Sequence, residues 1–343
     1  MTDKKFWSEK IRGQTPYTAG EQPKIADLVK LNTNENPYPP SPKVIQAIRK
    51  SENGDLRLYP PVINESNRFW GNGSDEVLAM AFIAFFSGKR LYAPDVTYSF
   101  YPVWAKMFDV DYHTIPLNED FTIPVEKFCR FDGGIIIANP NAPTGLLLGV
   151  NEIERIVATN SENVVIIDEA YIDFANEPGA SDLLDKYPNL LVVKTASKSY
   201  SLAGLRVGWA EGNESLIEAL TVARDSINSY TLDRLAVAGI KAAFGDREYF
   251  KTQNEKVIAT RERTKDILRQ LGFGVTDSQA NFVFAAHPKF RGEDLYKSLR
   301  KRGILVRWWN LPRINNHLRI TIGTDEQMNR LFAALREEII GGN

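Results

Sequence analysis

The stretch Asn163–Tyr171 reads NVVIIDEAY, an aliphatic run that leads directly into two carboxylates. The run Val164–Ile167 has no polar alternation, which is typical of a strand that is buried on both faces. Two similar runs flank it in the sequence, GGIIIANP at Gly133–Pro140 and NLLVVKTAS at Asn189–Ser197. A helical pattern at Val150–Ala158 separates the first two runs. This alternation predicts an α/β fold, a doubly wound and mostly parallel sheet with helices on both faces.

The pattern continues toward both ends of the chain. On the amino-terminal side we predict a helix that opens at Ser41-Pro42, a helix Asp75–Phe86 and a strand Arg90–Ala93. After Ser215 helices continue to about Leu271. The segments ANFVFAA and GILVRWWNLPRINNHLRITIG then predict strands around a Pro/Asn turn, and a last helix begins at Asp325. We therefore predict an N-terminal arm (1–34), a large domain (35–228) and a smaller α+β C-terminal domain (229–343).

Composition narrows the functional class. The 343 residues carry a formal net charge of -1, which gives no general reason to expect a nucleic-acid or membrane partner. The single cysteine, Cys129, excludes an intrachain disulfide, and the polar start MTDKKFWSEK lacks the apolar core of a signal peptide. We therefore expect a cytoplasmic protein. The three histidines His113, His287 and His317 are far apart, so no metal site is predicted.

Polar residues follow the predicted buried strands. Because ligands of such sheets bind at the carboxyl ends of the strands, Asn141, Asp168 and Lys198 are candidate site residues. Each has a structural explanation when taken alone. The sequence NPNAPTG could be only a turn, Asp168 only a helix N-cap, and Lys198 a solvated surface charge.

Taken together, these residues suit pyridoxal 5′-phosphate. A lysine can form a Schiff base with its aldehyde, and a carboxylate can pair with the protonated pyridine nitrogen and keep the ring an electron sink. Burial would lower the pKa of the lysine and favour the nucleophilic amine. The glycines of GNGSDE (Gly71–Glu76) precede a helix start, where free N–H groups can hold a phosphate together with Ser197 and Arg206.

The order and spacing of these motifs resemble fold-type I pyridoxal-phosphate-dependent aminotransferases over nearly the whole chain. The motifs are NPNAPTG, DEAYIDF, SKSYSLAGLRVGW, GNGSDE and LRITIGT. Further segments are similar to the histidinol-phosphate aminotransferase subfamily, namely LNTNENPYPPSPKV, RLYP, PDVTYSFYPVW, SQANFVF and GILVR. The resemblance implies a homodimeric enzyme of histidine biosynthesis with shared active sites. Its small-molecule substrates would be glutamate and imidazole-acetol phosphate, and its products 2-oxoglutarate and L-histidinol phosphate.

The resemblance also implies roles for individual residues. Lys198 would bond to the cofactor, Asp168 would pair with its pyridine nitrogen, and Tyr171 would act with Asn141 on the ring 3′-oxygen. Tyr98 would stack on the ring. The phosphate would be surrounded by Asn72, Gly73, Ser74, Asp75, Thr195, Ser197 and Arg206, with Tyr59 reaching it from the other subunit. The substrate would contact Tyr17, Asn281, Arg307 and Arg319.

Physical reasoning supports the two substrate arginines independently. Arg307 follows the apolar residues GILV, and Arg319 lies inside LRITI. A guanidinium in an apolar strand is costly unless an anion pairs with it, although an outward-facing edge strand would explain each residue singly. Two such arginines on neighbouring predicted strands indicate a carboxylate or a phosphate ester as ligand.

Two questions stay open from the sequence. The family carries a helix and a strand where this chain has only Pro61–Trp70, so either an element is absent or the sequence is interrupted there; we favour the interruption, because Tyr59 has to reach an active site. The alternative functions are an aromatic amino acid aminotransferase, a threonine-phosphate decarboxylase and a cofactor-dependent regulator. The regulator fits least, because the chain has no spare basic segment that could bind DNA.

Overall fold

The computed structural model describes residues 4–23 and 27–341 of the chain. The predicted arm and C-terminal domain therefore include residues 1–3, 24–26 and 342–343, which lie outside the described residues. The strands are β1 (Val29–Lys30), β2 (Arg68–Asn72), β3 (Arg90–Pro94), β4 (Asp111–Ile115), β5 (Gly134–Ala138), β6 (Val165–Asp168), β7 (Leu190–Thr195), β8 (Val207–Gly212), β9 (Gly274–Val275), β10 (Phe282–Ala286), β11 (Ile304–Leu305) and β12 (His317–Thr321).

The helices alternate with the strands in the first two thirds of the chain. They are α1 (Glu9–Gly13), α2 (Pro42–Ser51), α3 (Gly73–Ala81), α4 (Tyr101–Met107), α5 (Val150–Thr159), α6 (Glu214–Asp225), α7 (Arg234–Phe244), α8 (Arg247–Gln270), α9 (Gly292–Lys301) and α10 (Asp325–Gly341). Helix α2 begins as predicted, since the Ser41 hydroxyl accepts from the Lys43 N–H and Pro42 occupies the first turn.

The central sheet has seven strands in the order β2-β8-β7-β6-β5-β3-β4. Only β8 runs antiparallel to its neighbours, so the predicted α/β class with a mostly parallel sheet is confirmed. The β5–β6 register pairs Ala138 with Asp168, and the β6–β7 register pairs Asp168 with Val193. The carboxyl ends of the three apolar strands therefore lie side by side.

Separate hydrophobic clusters cover the two faces of this sheet. Ile136 and Ile166 pack with α3 and α6, whereas Ile135 and Ile167 pack with α5. The alternate residues of β5 and β6 are thus buried on opposite faces, which explains why these strands carry no polar alternation.

Another hydrophobic cluster lies around a three-stranded sheet of order β12-β10-β9, together with α8, α9 and α10. Val29 and Leu31, from the end of the predicted arm, are buried in this cluster. Strand β1 pairs in parallel with β11, so the chain before residue 35 adds a strand to the C-terminal part of the molecule.

Two local predictions were wrong in detail, and a third observation bears on the open question at Pro61–Trp70. The predicted helix Asp75–Phe86 begins at Gly73 and changes at Phe82 into a π-helical turn. The predicted terminal strand pair is not a regular hairpin, because β11 pairs with β1, and the residues after β11 join β12 through an isolated bridge between Arg307 and Arg319. The segment after Tyr59 reaches β2 without a helix, although β2 itself pairs with β8.

Among the described residues, no helix combines the length and the apolar character needed to cross a membrane.

Candidate functional site

A cavity of about 300 Å³ opens at the carboxyl ends of β6 and β7. Its walls come from those strands, the start of α3, the segments around residues 17–22 and 32–35, and the two predicted substrate arginines. Twelve of the predicted site residues line it: Tyr17, Ser74, Asp75, Tyr98, Asp168, Tyr171, Thr195, Ser197, Lys198, Arg206, Arg307 and Arg319. The fold thus brings together residues that are up to about three hundred positions apart in the chain.

Lys198 follows the end of β7 and points into this cavity. Its Nζ lies 3.4 Å from the carbonyl oxygen of Thr33, to which it donates, and 5.8 Å from the centre of the Tyr171 ring. Burial, reinforced by the positive charge of Arg319, lowers the pKa of Lys198 to about 8. The side chain is therefore not a solvated surface charge, and about a tenth of it is the free amine at pH 7.

The backbone around Lys198 is held by polar contacts on both sides. The Asn36 side-chain amide donates to the Lys198 carbonyl at 3.1 Å. The next residue, Ser199, donates its hydroxyl to the carboxylate of Asp173 at 2.5 Å. These contacts fix the direction in which the lysine leaves the strand.

Asp168 is the last residue of β6 and is only 5% exposed. Its Oδ2 accepts from the Tyr101 hydroxyl at 2.7 Å, and its Oδ1 accepts from the Ala170 N–H at 3.3 Å. Burial raises the pKa of Asp168 to about 6, against the opposing effect of the Tyr101 hydrogen bond. A cation placed beside this carboxylate would favour its ionised form, as a protonated ring nitrogen does.

Tyr101 was missed by the sequence reasoning. It is fully buried at the start of α4 and is the side-chain partner of Asp168. The only signal was its presence in the family-like segment PDVTYSFYPVW, where a tyrosine cannot be distinguished from an ordinary core aromatic residue.

The predicted phosphate cradle lies at the start of α3. Gly73 has a φ of 80°, and a Cβ there would lie 2.4 Å from the Arg206 guanidinium, so only glycine allows the arginine this close. Arg206 donates to Asp75 Oδ2 at 3.2 Å and to Ser197 Oγ at 3.4 Å. The Thr195 hydroxyl donates to the same Ser197 oxygen at 3.0 Å. These residues therefore form one hydroxyl and guanidinium cluster at a helix N-terminus, which suits an anion.

The side chain of Asn72 does not point into the cavity, in contrast to those of Ser74 and Asp75. It is exposed, and its side chain donates to the carbonyl of Thr231 at 3.2 Å instead of lining the cavity.

The predicted ring contacts lie on both sides of the lysine. Tyr98 donates to Asp75 Oδ1 at 2.9 Å and meets Tyr101 edge to face at 5.5 Å. Asn141 lies just behind the cavity wall; its amide nitrogen is bonded, but its buried Oδ1 has no partner. The Tyr171 hydroxyl accepts from the Asn34 amide at 2.9 Å, another contact that the sequence reasoning missed.

The predicted substrate residues lie at the other end of the cavity. Arg319 donates to the carbonyl of Asn32 at 3.1 Å, while its buried Nε has no hydrogen-bond partner among the described residues. Arg307 donates to the carbonyl of Thr18 at 2.9 Å. Both arginines therefore face the cavity and are not outward-facing residues of an edge strand.

Tyr17 and Asn281 differ in their relation to the cavity. Tyr17 stacks on Phe100 at 4.8 Å and lines the cavity. Asn281 lies behind the wall, where its amide donates to the carbonyl of Asn34 at 2.9 Å and its buried Oδ1 has no partner.

Tyr59 lies outside this cavity. It is 77% exposed and stacks on Tyr230 with ring centroids 4.5 Å apart. Within residues 4–23 and 27–341, no three histidine, cysteine or acidic side chains come together in a way that could hold a metal ion.

The donor set fits a phosphorylated pyridine aldehyde. The cavity offers an anion cradle, an amine of lowered pKa and a buried carboxylate without a paired cation. Asn141 adds an unpartnered buried acceptor beside them. The cradle, the amine and the carboxylate surround one space, so a single group could engage all three.

Comparison with known proteins agrees with this geometry. The sequence model of the family "Aminotransferase class I and II" matches residues 26–335. Histidinol-phosphate aminotransferase of Clostridium acetobutylicum is 49% identical, over 97% of this chain and 99% of the relative. The enzyme of the same name from Brachyspira hyodysenteriae is 52% identical, over 95% of this chain and 96% of the relative.

Solved structures show the same fold. Histidinol-phosphate aminotransferase from Sinorhizobium meliloti, solved in complex with pyridoxal-5′-phosphate, superposes with a TM-score of 0.86 at 24% identity and 99% coverage of each chain. A solved structure of a histidinol-phosphate aminotransferase from Clostridium acetobutylicum gives a TM-score of 0.83 at 24% identity, over 92% of this chain and all of the other chain. The family match over most of the sequence, the identity of about half to full-length relatives and the shared fold lead to one conclusion: the chain belongs to the class I and II aminotransferase family.

Proposed function

We propose that this protein is a histidinol-phosphate aminotransferase. It exchanges an amino group between glutamate and imidazole-acetol phosphate, giving 2-oxoglutarate and L-histidinol phosphate, with pyridoxal 5′-phosphate as cofactor. The observation that carries the proposal is that one cavity is lined by Lys198, Asp168 and two arginines. Neither arginine has an acidic partner among the described residues. The names of the curated relatives at about half identity support the substrate assignment.

Different residues of the chain are assigned to different parts of the cofactor. Lys198 would hold the cofactor through its aldehyde carbon, and Asp168 would pair with the ring nitrogen. Asn141 and Tyr171 are assigned to the ring 3′-oxygen, and Tyr98 to the ring face. The phosphate is assigned to Gly73, Ser74, Asp75, Thr195, Ser197 and Arg206, whereas Asn72, whose side chain donates to Thr231, is left out of this set. When bound, the cofactor supplies an electron sink for the charge left on the substrate α-carbon when its proton is removed.

Lys198 also handles the proton. Once the amino group of the substrate has displaced Lys198 from the cofactor, the lowered pKa of the lysine would leave part of it as the free amine near neutral pH, able to take the proton from the α-carbon of the amino donor. The polar contacts of Asn36 and Ser199 hold the lysine backbone on either side, so the amine can reach that carbon from a fixed direction.

Arg307 and Arg319 bind the anionic ends of both substrates. Neither is paired with a carboxylate within the described part of the chain, so their charge is available to a carboxylate of glutamate and to a phosphate ester. Tyr17 covers this end of the cavity, and Asn281 stands behind it.

A kinetic screen tests the substrate assignment. The purified enzyme, loaded with cofactor, is incubated with 2-oxoglutarate and one of L-histidinol phosphate, phenylalanine, tyrosine or threonine phosphate. We expect histidinol phosphate to give the highest kcat/KM. Absence of turnover with it would overturn the assignment, and preference for an aromatic amino acid or release of carbon dioxide from threonine phosphate would name the alternative. Lys198→Ala is the control and should lower the rate at least about 10⁴-fold.

We further propose a cytoplasmic homodimer. An apolar surface supports the second copy: Tyr59 and Tyr230 stack on each other in the open, and Val222 and Ile227 are also exposed. In such a dimer Tyr59 would reach the phosphate of the other subunit's site. The location rests on the single cysteine, Cys129, whose thiol is free.

A further inference from the structure

The two substrate arginines form an unusual pair. Arg307 and Arg319 exchange two backbone hydrogen bonds of 2.9 Å, so they lie directly opposite each other on adjacent chain segments. Directly opposite residues project their side chains to the same face, and like charges in that position repel each other. A contact that holds the two guanidinium groups together has to offset this repulsion.

The contact that holds the two guanidinium groups together does not come from a carboxylate of the described residues. In the part of the chain that the structure describes, neither arginine forms an ion pair, and their side chains donate only to neutral carbonyls, those of Thr18 and Asn32. Burial, together with the charge of Arg307, lowers the pKa of Arg319 from its usual value. The pair therefore keeps two uncompensated positive charges at the edge of the cavity.

Trp309 is the group that contacts both. The guanidinium carbon of Arg307 lies 5.3 Å from the centre of its ring system, and that of Arg319 lies 5.1 Å away. The indole face is the most favourable aromatic surface for a cation. Arg319 has a second aromatic contact, 5.4 Å from the Phe282 ring. Among the described residues, Trp309 is the aromatic side chain whose ring lies against both guanidinium groups.

Trp309 is itself held in place. It packs against the cluster of Val96, Leu117, Phe284 and Ile314, and it does not line the cavity. An acidic residue in its place would also hold the arginines but would neutralise them and repel an anionic substrate. An aromatic face attracts the guanidinium groups and leaves their charge available.

We propose that Trp309 is a positioning residue that keeps Arg307 and Arg319 side by side as a doubly charged anion site and thereby sets the preference for a phosphate ester over a carboxylate. This inference rests on the proposed function for the identity of the phosphate ester. A phosphate ester carries close to two negative charges near neutral pH, so it gains more from two adjacent cations than a single carboxylate does.

The test uses three variants of the cofactor-loaded enzyme. Trp309→Leu removes the aromatic face, Trp309→Phe keeps a weaker one, and Trp308→Leu is the matched control. Trp308 stacks on Tyr296 with ring centroids 5.9 Å apart and donates to the carbonyl of Asn315. The readouts are KM and kcat for histidinol phosphate and for glutamate, and the Kd of inorganic phosphate measured by calorimetry.

We expect Trp309→Leu to raise the KM for histidinol phosphate and the Kd of phosphate about tenfold, equivalent to about 1.4 kcal/mol. The KM for glutamate should rise about threefold and kcat should change less than threefold, because the lysine and the cofactor contacts are untouched. Trp309→Phe should fall between the wild type and Trp309→Leu, and Trp308→Leu should match the wild type within about twofold.

Equal loss with both substrates, or a fall in kcat without a change in KM, would overturn the proposal. If Trp309→Leu does not fold, Trp309→Phe decides: a KM ratio of phosphate ester to glutamate equal to that of the wild type refutes it. The phosphate titration separates the two hypotheses. A wild type that binds phosphate through this pair but does not turn over histidinol phosphate would refute the proposed function and leave the role of Trp309 standing.

Discussion

At the scale of the residue, Lys198 shows how a functional group weakens the fold that carries it. The pKa of an unfolded lysine is about 10.4, whereas burial holds the pKa of Lys198 at about 8. Below pH 8 the folded protein must bury an ammonium group that the unfolded chain solvates freely. Between pH 8 and 10 the unfolded chain binds more protons, so this cost decreases as the pH rises.

We therefore expect Lys198→Met to stabilise the cofactor-free protein. At pH 7 the free energy of unfolding should increase by about 2 kcal/mol, and the difference from the wild type should nearly vanish at pH 10. Urea unfolding of both cofactor-free proteins at the two pH values measures this. A variant that is less stable than the wild type at pH 7, or a difference that does not change with pH, would contradict the pKa shift.

Asp168 and its neighbours show what a sequence can and cannot reveal about a site. A carboxylate after a buried strand is visible in the sequence, because the position of the strand end follows from the apolar run. The hydrogen bond from Tyr101 is not visible, because it joins residues 67 positions apart on different elements. The same holds for Asn34 and Tyr171, which meet across 137 positions.

At the scale of the element, β8 is packed unusually closely on the start of α3. A Cβ at Gly208 would lie 2.2 Å from the Ser74 backbone nitrogen and 2.4 Å from the Gly73 carbonyl carbon. These are backbone atoms, so the contact cannot be relieved by turning a side chain. The glycine therefore sets the distance between the strand and the anion cradle.

Gly208→Ala should disrupt this cradle. We expect the cofactor-free protein to lose about 2 kcal/mol of stability and the affinity for pyridoxal 5′-phosphate to fall at least about tenfold. Gly204→Ala is the matched control, because no atom lies within 4 Å of its Cβ position. Urea unfolding and an absorbance titration with the cofactor measure the two effects. Wild-type cofactor affinity in Gly208→Ala would mean that the helix start does not hold the phosphate.

The predictability of the other elements depended on their length and environment. Strands β5, β6 and β7 could be predicted because burial on both faces makes their sequences continuously apolar. The pairing of β1 with β11 could not, since strands of two residues have no measurable periodicity. For the same reason the tail that contains Arg307 and Arg319 was predicted as two strands, whereas a single bridge joins these residues.

At the scale of the whole molecule, four exposed apolar side chains indicate where a second copy of the chain binds. The residues involved are Tyr59, Val222, Ile227 and Tyr230; Val222 and Ile227 are 61% and 62% exposed. They belong to the end of α6, the segment that follows it and the stacked tyrosine pair. Val222 and Ile227 line one surface groove, and Tyr59 and Tyr230 stack on each other. Exposed large apolar side chains of this kind indicate an interaction surface.

The double variant Val222→Glu/Ile227→Glu tests whether that surface is the dimer interface. Each glutamate would have to be buried without a partner in the dimer, so we expect the protein to sediment as a monomer at micromolar concentration while the wild type sediments as a dimer. Leu311→Glu is the control, since Leu311 is similarly apolar and 49% exposed but lies in the turn between β11 and β12. It should remain dimeric.

Because the phosphate site would also lose Tyr59 from the other subunit, the monomeric variant should bind pyridoxal 5′-phosphate at least about threefold more weakly. A double variant that stays dimeric would place the interface elsewhere and remove the support for a shared active site.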